Sequence, residues 1–158
     1  EMLVPRLKKL GLIVGTLKYT EHEGFHWDVP GKDTYRHYQA GSDITGIFGP
    51  RCWAFSDNRQ EAGEIPLKQL ASTFYRDADI VLVEGYRLDD ARKIEVLRPG
   101  FTDRPIAETA QLLATYGQRL YKYDIPHFEY GTEDELAHHI YDHHNDLQSI
   151  SGWQDTPE

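Results

Sequence analysis

The run from Asp79 to Gly85, with the sequence DIVLVEG, is the feature that most constrains the fold of this chain. Four consecutive branched apolar residues, without alternation with polar ones, are typical of a strand covered on both faces in a parallel sheet. Parallel strands need long crossover connections, usually helices, and the chain has helix-like segments on both sides of this run. The sequence therefore predicts an α/β fold of three layers with a mostly parallel sheet.

Apolar spacing and turn residues divide the rest of the chain into short elements. Gly11 and Gly41 follow two helix-like segments as stop signals, and the sequence Gly49-Pro50-Arg51 between two strand-like runs predicts a hairpin. We expect one domain over residues 1–145 and a loosely ordered tail over 146–158. The predicted helices are residues 2–10, 33–40, 65–75, 106–116 and 132–141, and the predicted strands are residues 12–17, 44–49, 52–56, 79–85, 93–98, 120–123 and 127–131.

The overall charge and the cysteine content exclude several classes of protein. A formal net charge of −9 argues against nonspecific nucleic-acid binding, although one local basic site for a phosphorylated small molecule remains compatible with it. The lone cysteine, Cys52, rules out an internal disulfide framework. No run approaches the ~18 apolar residues that span a bilayer, and no signal peptide opens the sequence. We therefore expect a cytoplasmic protein without a membrane anchor.

The segment from Lys18 to Gly41 is polar, broken by glycine and proline, and follows a predicted strand. Such segments carry the chemistry of many α/β proteins. The sequence Gly31-Lys32-Asp33 at the start of a helix is expected to offer backbone N–H groups and an ammonium to a phosphate, with Asp33 as N-cap. Arg36 and His37 follow about one turn later. The alternative is an ordinary loop with solvated charges, and for any single residue this is the more common outcome.

Two carboxylates are candidates for a magnesium site. Glu84 ends the most clearly predicted strand, and a carboxylate at the carboxyl edge of a parallel sheet lies where ligands bind. Asp28 is the best second carboxylate, because Mg²⁺ usually takes one or two carboxylates and keeps several waters. The alternative for Glu84 is a helix cap or a solvent-exposed side chain.

The histidines offer a different kind of site. His22 and His26 are four residues apart, but Gly24 argues against the helix that would bring them together. Near the C-terminus, His139 and His143 have the same spacing on a predicted helix and are expected to be able to chelate a soft divalent ion. A solvated helix end, with imidazoles near the favourable pole of the helix dipole, is the alternative.

Pro5 bears on the beginning of the chain, because proline is tolerated only in a first helical turn or at a kink. A helix that began at Pro5 and stopped at Gly11 would have fewer than about two turns. We therefore expect the N-terminal part of this helix to precede Glu1.

Two long motifs resemble the signatures of a known family. The segment KYTEHEGFHWDVPGKDTYRHYQAGSD is similar to K-H-T-H-H followed by D-x-PGKDS-x-RH-x-x-AGA, a signature of the MobB-type molybdopterin-guanine dinucleotide biosynthesis adapter proteins. The segment DIVLVEGYRLDDARKIEV resembles the second signature of that family, a DLVLVEGFK-type strand followed by a K-I-E-V strand. The resemblance covers roughly residues 1–100. Tyr19 and Glu21 stand where the family usually has histidine.

The resemblance implies a P-loop NTPase fold that binds GTP with Mg²⁺ and forms a homodimer. It implies an adapter role beside the guanylyltransferase that attaches GMP to the molybdenum-pterin cofactor, with weak GTP hydrolysis at most. Glu84 would contact Mg²⁺ through water, with Asp28 as the second carboxylate. The residues that would face the phosphates or molybdopterin are Lys18, Thr20, His22, Gly31, Lys32, Asp33, Arg36 and His37.

The resemblance also implies a strand and a phosphate-binding Walker A loop just before Glu1, and the motif GxxxxGK[ST] occurs nowhere in this sequence. We therefore expect the chain to lack this part of the site and to bind nucleotide poorly without it. An alternative function is that of a metal-delivery or metal-sensing GTPase-like protein that uses its histidines. An interaction domain with no ligand is a third.

Overall fold

The computed structural model describes residues 1–21, 28–59, 65–86, 91–101, 105–119 and 124–147. His22, the predicted strand at 120–123 and residues 148–158 of the predicted tail lie outside these ranges. The chain forms two compact units, which we call the sheet unit (residues 1–20 and 66–158) and the hairpin unit (residues 21–65). The single domain expected over residues 1–145 stays a prediction.

Helices and strands are interspersed along the first half of the chain, and four strands follow one another in the second half before the last helix. The helices are α1 (Leu3–Lys9), α2 (Asp33–Gln39), α3 (Leu67–Phe74) and α4 (Glu133–His143), and the strands are β1 (Val14–Lys18), β2 (Ile44–Gly49), β3 (Cys52–Asp57), β4 (Ile80–Glu84), β5 (Lys93–Leu97), β6 (Leu112–Gly117) and β7 (His127–Phe128). Short 3-10 turns cover Thr109–Gln111 and His144–Asp146.

The strands of the sheet unit are parallel and form two sheets. β1 pairs with β4, from Val14 opposite Ile80 to Lys18 opposite Glu84. β6 pairs with β5 on one side and with β7 on the other. The predicted α/β class with mostly parallel pairing is confirmed, because the β2–β3 hairpin is the one antiparallel pair among the described strands.

One hydrophobic core joins both sheets to α1 and α4. Leu7 of α1 and Ile140 of α4 are almost fully buried, together with Ile80 of β4 and Ala114 of β6. In α4, Leu136 and Ile140 lie four residues apart and therefore on the same face of the helix. That spacing explains why this segment is a helix packed on a sheet.

The start of the chain follows the predicted pattern. α1 begins at Leu3 and has Pro5 in its first turn, where the missing N–H of proline removes no intrahelical hydrogen bond. Gly11 has a φ of +94° and ends the helix, as predicted. That further residues precede Glu1 stays a prediction.

The predicted helix over residues 106–116 is wrong. Its second half is strand β6, with the sequence LLATYG, and its first half holds a 3-10 turn. Five of the six β6 residues are buried, because the strand has neighbours on both sides and α4 packs over it. A short apolar run buried all round has no clear period, so tertiary pairing decides between strand and helix.

The prediction that β4 is covered on both faces is also wrong. Ile80 is buried, but Val83 is 37% exposed and Glu84 is exposed at the carboxyl end of the strand. Ile80 and Leu82 share the face that packs against the hydrophobic core, whereas Val83 lies on the opposite face of the strand.

The N-cap of α2 differs from the prediction. Lys32 takes the N-cap position with an extended backbone, and Asp33 is the first helical residue, with no side-chain capping bond. Gly41 ends the helix with a φ of +91°, as predicted. A carboxylate in the first turn still interacts favourably with the helix dipole, so Asp33 stabilises the helix without capping it.

The hairpin unit contains α2 and the antiparallel strands β2 and β3. The predicted turn at Gly49-Pro50-Arg51 is confirmed, with Gly49 opposite Cys52 and Ile44 opposite Asp57. Asn58 fastens the open end of the hairpin, because its side-chain N–H groups donate to Ser42 O at 2.9 Å and to Thr45 Oγ1 at 3.2 Å.

Candidate functional site

Lys18 and Glu84 meet at the carboxyl ends of two adjacent parallel strands. They are direct partners in the register of β1 and β4, and Lys18 Nζ donates a hydrogen bond to Glu84 Oε1 at 3.0 Å. Both side chains face solvent, at 65% and 78% exposure. An exposed ion pair of this kind contributes little to folding, so its components are available to a ligand.

Beyond this pair, the backbone segments that follow β1 and β4 approach each other closely. Tyr19 N donates to Glu84 O at 2.8 Å, which extends the ladder by one residue. Gly85 has a φ of +84°, and a Cβ at this position would lie 2.8 Å from Tyr19 O. The rings of Tyr19 and Tyr86 pack edge to face, with centroids 5.2 Å apart. The carboxyl edge therefore combines a cation, a carboxylate and an aromatic pair.

Asp28, in the hairpin unit, has one oxygen without a protein partner. Its Oδ1 accepts a hydrogen bond from Val29 N at 2.7 Å. Its Oδ2 is buried and accepts no hydrogen bond in the part of the chain that the structure describes. Buried carboxylate oxygens are normally satisfied, so an unpartnered one indicates a place for a cation or a hydrogen-bond donor. This donor chemistry fits the predicted role of Asp28.

The basic residues of the predicted phosphate loop are exposed on α2 and just before it. Lys32 stands at the N-cap, Arg36 lies within the helix, and Arg36 N donates a hydrogen bond to Lys32 O at 3.0 Å. Gly31, with a φ of +89°, precedes them, and a Cβ there would meet nothing within 4 Å. The structure therefore leaves open space beside the Gly31-Lys32-Asp33 segment, which a phosphate site requires.

His37 lies elsewhere, at the opposite end of α2. It lines an open cavity of about 610 Å³, and its carbonyl oxygen accepts a hydrogen bond from Ser42 N at 3.2 Å. The C-terminal end of a helix carries partial negative charge, which disfavours a phosphate. The other residues around the cavity are Ala40, Gly41, Ser42, Ile44, Thr45 and Gly46.

The candidate residues are thus divided between the two units. Lys18, Thr20 and Glu84 belong to the sheet unit, and Thr20 is half-buried two residues after β1. The other described candidates belong to the hairpin unit: Asp28, Gly31, Lys32, Asp33, Arg36 and His37. The structure brings Lys18 and Glu84 into contact, whereas a shared site of Asp28 and Glu84 stays a prediction, as does any role of His22.

A hydrogen-bond network covers the carboxyl edge of the sheet formed by β5, β6 and β7. The hydroxyl of Tyr116 donates to Oε1 of the buried Glu133, which also accepts a hydrogen bond from Gly131 N at 3.1 Å. The bond between them raises the pKa of Tyr116 to about 12 and lowers the pKa of the Glu133 carboxyl. Tyr130 donates to Leu97 O at 3.1 Å. Because these groups form hydrogen bonds within the protein, we infer that this edge stabilises the fold and does not bind a ligand.

Metal-ligating side chains do not form a conventional centre in the described residues. No group of three or more histidine, cysteine, aspartate or glutamate side chains is placed to hold an ion in the part of the chain that was described. No helix in those same ranges is long and apolar enough to cross a bilayer.

Known proteins with this architecture define the class. The crystal structure of Bacillus subtilis MobB superimposes with a TM-score of 0.65 at 21% sequence identity, over 87% of this chain and 86% of that one. A structure of molybdopterin-guanine biosynthesis protein B gives a TM-score of 0.63 at 21% identity, over 91% and 87% of the two chains. The fold is therefore that of an α/β protein of the P-loop NTPase-like class.

The sequence identifies the family within that class. The model of the MobB family, described as molybdopterin guanine dinucleotide synthesis protein B, matches residues 1–117. The chain is 34% identical over 104 residues to the molybdopterin-guanine dinucleotide biosynthesis adapter protein of Escherichia coli (strain K12), a match that covers 65% of this chain and 59% of that protein. The chain belongs to the MobB family, and the match spans about 59% of the length of that curated relative.

Sequence reasoning treated Tyr19 only as a departure from a family signature and did not single out Tyr86. Each tyrosine lies just beyond the carboxyl end of one of two paired strands, Tyr19 directly after β1 and Tyr86 two residues after β4. Aromatic residues at matching strand ends are the signal that would have found them, since parallel strands end at one edge of a sheet.

Proposed function

We propose that this chain is a GTP-binding adapter in molybdopterin-guanine dinucleotide biosynthesis, acting beside the guanylyltransferase that forms the dinucleotide. The observation that carries the proposal is the exposed Lys18–Glu84 pair at the carboxyl ends of β1 and β4. Membership of the MobB family supports the biosynthetic role.

The chemistry of the pair suits a magnesium–phosphate ligand. Glu84 is proposed to hold Mg²⁺ through water, since Mg²⁺ dehydrates reluctantly and is usually held by one or two carboxylates and substrate phosphates. Lys18 then neutralises phosphate oxygens that replace Glu84 as its partner. Tyr19 and Tyr86 offer aromatic faces and edges beside the pair for a purine or pterin ring.

Residues of the hairpin unit are proposed to bind ligand groups as well. The buried Oδ2 of Asp28, which accepts no hydrogen bond among the described residues, suits a cation or a water bound to it. Lys32 and Arg36 are exposed basic residues in a chain whose formal net charge is −9, and they are proposed to attract an anion such as a phosphate.

The open edges of two strands support a further part of the proposal. Among the described residues, β4 pairs only with β1 and β5 pairs only with β6, although residues of both strands lie against one core. We propose that one more parallel strand pairs with both edges and joins the two sheets. A loop at the end of such a strand would lie at the same carboxyl edge as Lys18 and Glu84, where phosphate-binding loops are found.

A binding measurement with fluorescent GTP tests the nucleotide site. We expect Mg²⁺-dependent binding that E84Q weakens by at least about tenfold, since a lost hydrogen bond to a charged group costs about 1.5–3 kcal/mol. E108Q is the matched control, because Glu108 is also exposed and directly precedes the 3-10 turn at Thr109–Gln111. Equal affinities of E84Q and E108Q for GTP would contradict the proposed role of Glu84 in nucleotide binding.

The same measurement on a version extended at its N-terminus tests the additional strand. We expect tighter GTP binding and slower amide hydrogen exchange at Val81 and Val83, because a new neighbour would cover the open edge of β4. If the extended protein neither binds GTP nor protects β4, the nucleotide proposal and the strand proposal both fall.

The homodimer is proposed to form through the hairpin. Cross-strand partners share a face, so Phe48 and Trp53 lie together, as do Gly46 and Phe55. Phe48 is 87% exposed and Trp53 is 56% exposed. Clustered exposed aromatic residues mark interaction surfaces, and tryptophan is enriched among residues that dominate binding energy.

Light scattering after size-exclusion chromatography tests this surface. We expect F48E to shift a dimeric protein toward the monomer, because the glutamate would bury a charge in an apolar contact. F101E is the matched control, since Phe101 is 90% exposed outside the hairpin unit. A dimer that survives F48E would place the interface elsewhere.

The adapter is proposed to have weak GTP hydrolysis at most, because Asp28 and Glu84 are the only candidates for orienting water among the described residues. A cytoplasmic location and direct contact with molybdopterin belong to the same proposal. Dinucleotide formation by a purified guanylyltransferase, with and without this chain, measures the adapter effect. An unchanged yield at limiting GTP would contradict it.

A further inference from the structure

Four histidines at the end of α4 share a feature that the nucleotide site does not use. His138 Nδ1 bonds to Asp134 O at 2.7 Å, and His143 Nδ1 bonds to His139 O at 2.8 Å. His139 Nε2 bonds to Leu113 O at 3.2 Å, and His144 Nδ1 bonds to Tyr141 O. A carbonyl oxygen only accepts, so each neutral imidazole carries its proton on the bonded nitrogen and has a lone pair on the other.

Two of these rings are close enough to act together. The centroids of His139 and His143 are 4.4 Å apart, and both side chains are half-buried. The lone pairs belong to Nδ1 of His139 and Nε2 of His143, neither of which has a hydrogen bond in the described part of the chain. Two nitrogens that bind one Zn²⁺ at 2.0–2.1 Å with a tetrahedral angle are about 3.3 Å apart. Ring centroids 4.4 Å apart are compatible with such a separation.

The surroundings of the pair match those of known histidine ligands. Histidines that bind metals usually donate their other ring N–H to a carbonyl or carboxylate, which fixes the ring and its tautomer. His139 does this across to β6, and it packs on Phe128 at a centroid distance of 5.3 Å. His143 donates its ring N–H to the carbonyl oxygen of His139 in the same helix. Both rings are therefore oriented before any ion binds.

We propose that His139 and His143 form a two-histidine chelate for a divalent transition-metal ion. Imidazole nitrogen suits Zn²⁺, Ni²⁺ and Cu²⁺, whereas Mg²⁺ prefers oxygen ligands. The two nitrogens occupy adjacent coordination positions, and water fills the others. The site is separate from the Lys18–Glu84 edge and does not depend on the proposed nucleotide function.

Calorimetric titration of the untagged protein with Zn²⁺ and with Ni²⁺ tests the chelate. We expect one ion per chain, with no comparable binding of Mg²⁺. H143Q should weaken binding by at least about tenfold, since even the loss of an outer-shell partner commonly costs 10–100-fold. H138Q is a matched control, because His138 makes the same bond to the carbonyl four residues earlier but has no ring neighbour in the described residues.

Nitrogen NMR of the imidazoles identifies the ligand atoms and guards against misfolded variants. Binding of Zn²⁺ should shift the signals of His139 Nδ1 and His143 Nε2 and leave those of His138 unchanged. Equal loss of affinity in H138Q and H143Q, shifts spread over all four histidines, or no binding at one ion per chain would each overturn the proposal.

Discussion

Strands β4 and β6 are both short, apolar and parallel to their neighbours, yet they differ in burial. β6 lies between β5 and β7, and five of its six residues are buried. Among the described residues, β4 pairs with β1 alone, and only Ile80 of its five residues is buried. The apolar character of a strand therefore does not by itself determine its burial, because the elements packed beside it and over its faces decide how much of it water can reach.

The carboxyl ends of the two strands differ in the same way. At the end of β6, Tyr116 donates a hydrogen bond to Glu133, and Tyr130 donates one to Leu97 O at the neighbouring strand end. At the end of β4, the exposed Lys18 is the side-chain partner of Glu84 among the described residues. One edge is closed by protein groups and stabilises the fold, while the other presents groups that a ligand can engage.

Truncation of the two strands should give the largest difference in stability. Leu113→Ala removes a buried side chain of β6 and is expected to lower the free energy of unfolding by about 2–5 kcal/mol. Val83→Ala, on the exposed part of β4, should cost less than about 1 kcal/mol. Urea denaturation measures both, and equal costs would show that β4 is buried in solution.

The glycines at the two strand ends give a second, smaller comparison. Gly117 has a φ of +119°, and a Cβ there would lie 2.3 Å from Leu97 O. Gly117→Ala is expected to cost at least about 1–3 kcal/mol, since the backbone conformation and the contact are both unfavourable. Gly85→Ala should cost less, because the corresponding contact with Tyr19 O is 2.8 Å. Thermal denaturation measures both losses of stability, and we expect the larger fall in Tm for Gly117→Ala.

The closed edge should also make stability depend on pH. The hydrogen bond from Tyr116 lowers the pKa of Glu133 below its ordinary value of 4.5. The carboxylate therefore stabilises the fold above about pH 4.5, and this contribution is lost as the pH falls through the lowered pKa. Compared with the wild type, E133Q should show a smaller fall of Tm between neutral and acid pH.

A control variant separates Glu133 from the general effect of acid on carboxylates. Glu108 is exposed and has no hydrogen bond from a side chain in the described residues, so E108Q should keep the pH dependence of the wild type. The interpretation fails if E108Q and E133Q alter that dependence equally.

Removal of the Lys18–Glu84 ion pair, at the ends of β1 and β4, should have the smallest effect on stability. Lys18 and Glu84 form an exposed ion pair, and such pairs contribute about 0.2–1 kcal/mol or less. A double-mutant cycle with K18M and E84Q should give a coupling energy in that range, which falls further in high salt. A coupling well above it would mean that the pair supports the fold, and the contrast with β6 would be lost.

Much of the fold was predictable because its signals are local. Gly11 and Gly41 end helices at positive φ, and the sequence GPR makes the hairpin turn. The carboxylate Glu84 at a strand end was also predictable, because the run DIVLVEG places it there. Strand β6 was not, since the sequence LLATYG has no period that distinguishes a buried strand from a helix.

The sequence by itself determined most of the helices and strands before residue 100, the MobB signatures and the identity of Lys18 and Glu84 as candidates. Only the tertiary structure decided that these two side chains meet, that β4 is exposed while β6 is buried, and that Tyr116 closes the other edge with Glu133. The physical reason is that turns and caps depend on neighbours along the chain. Burial and hydrogen-bond partners depend instead on segments far apart in sequence, such as residues 18 and 84.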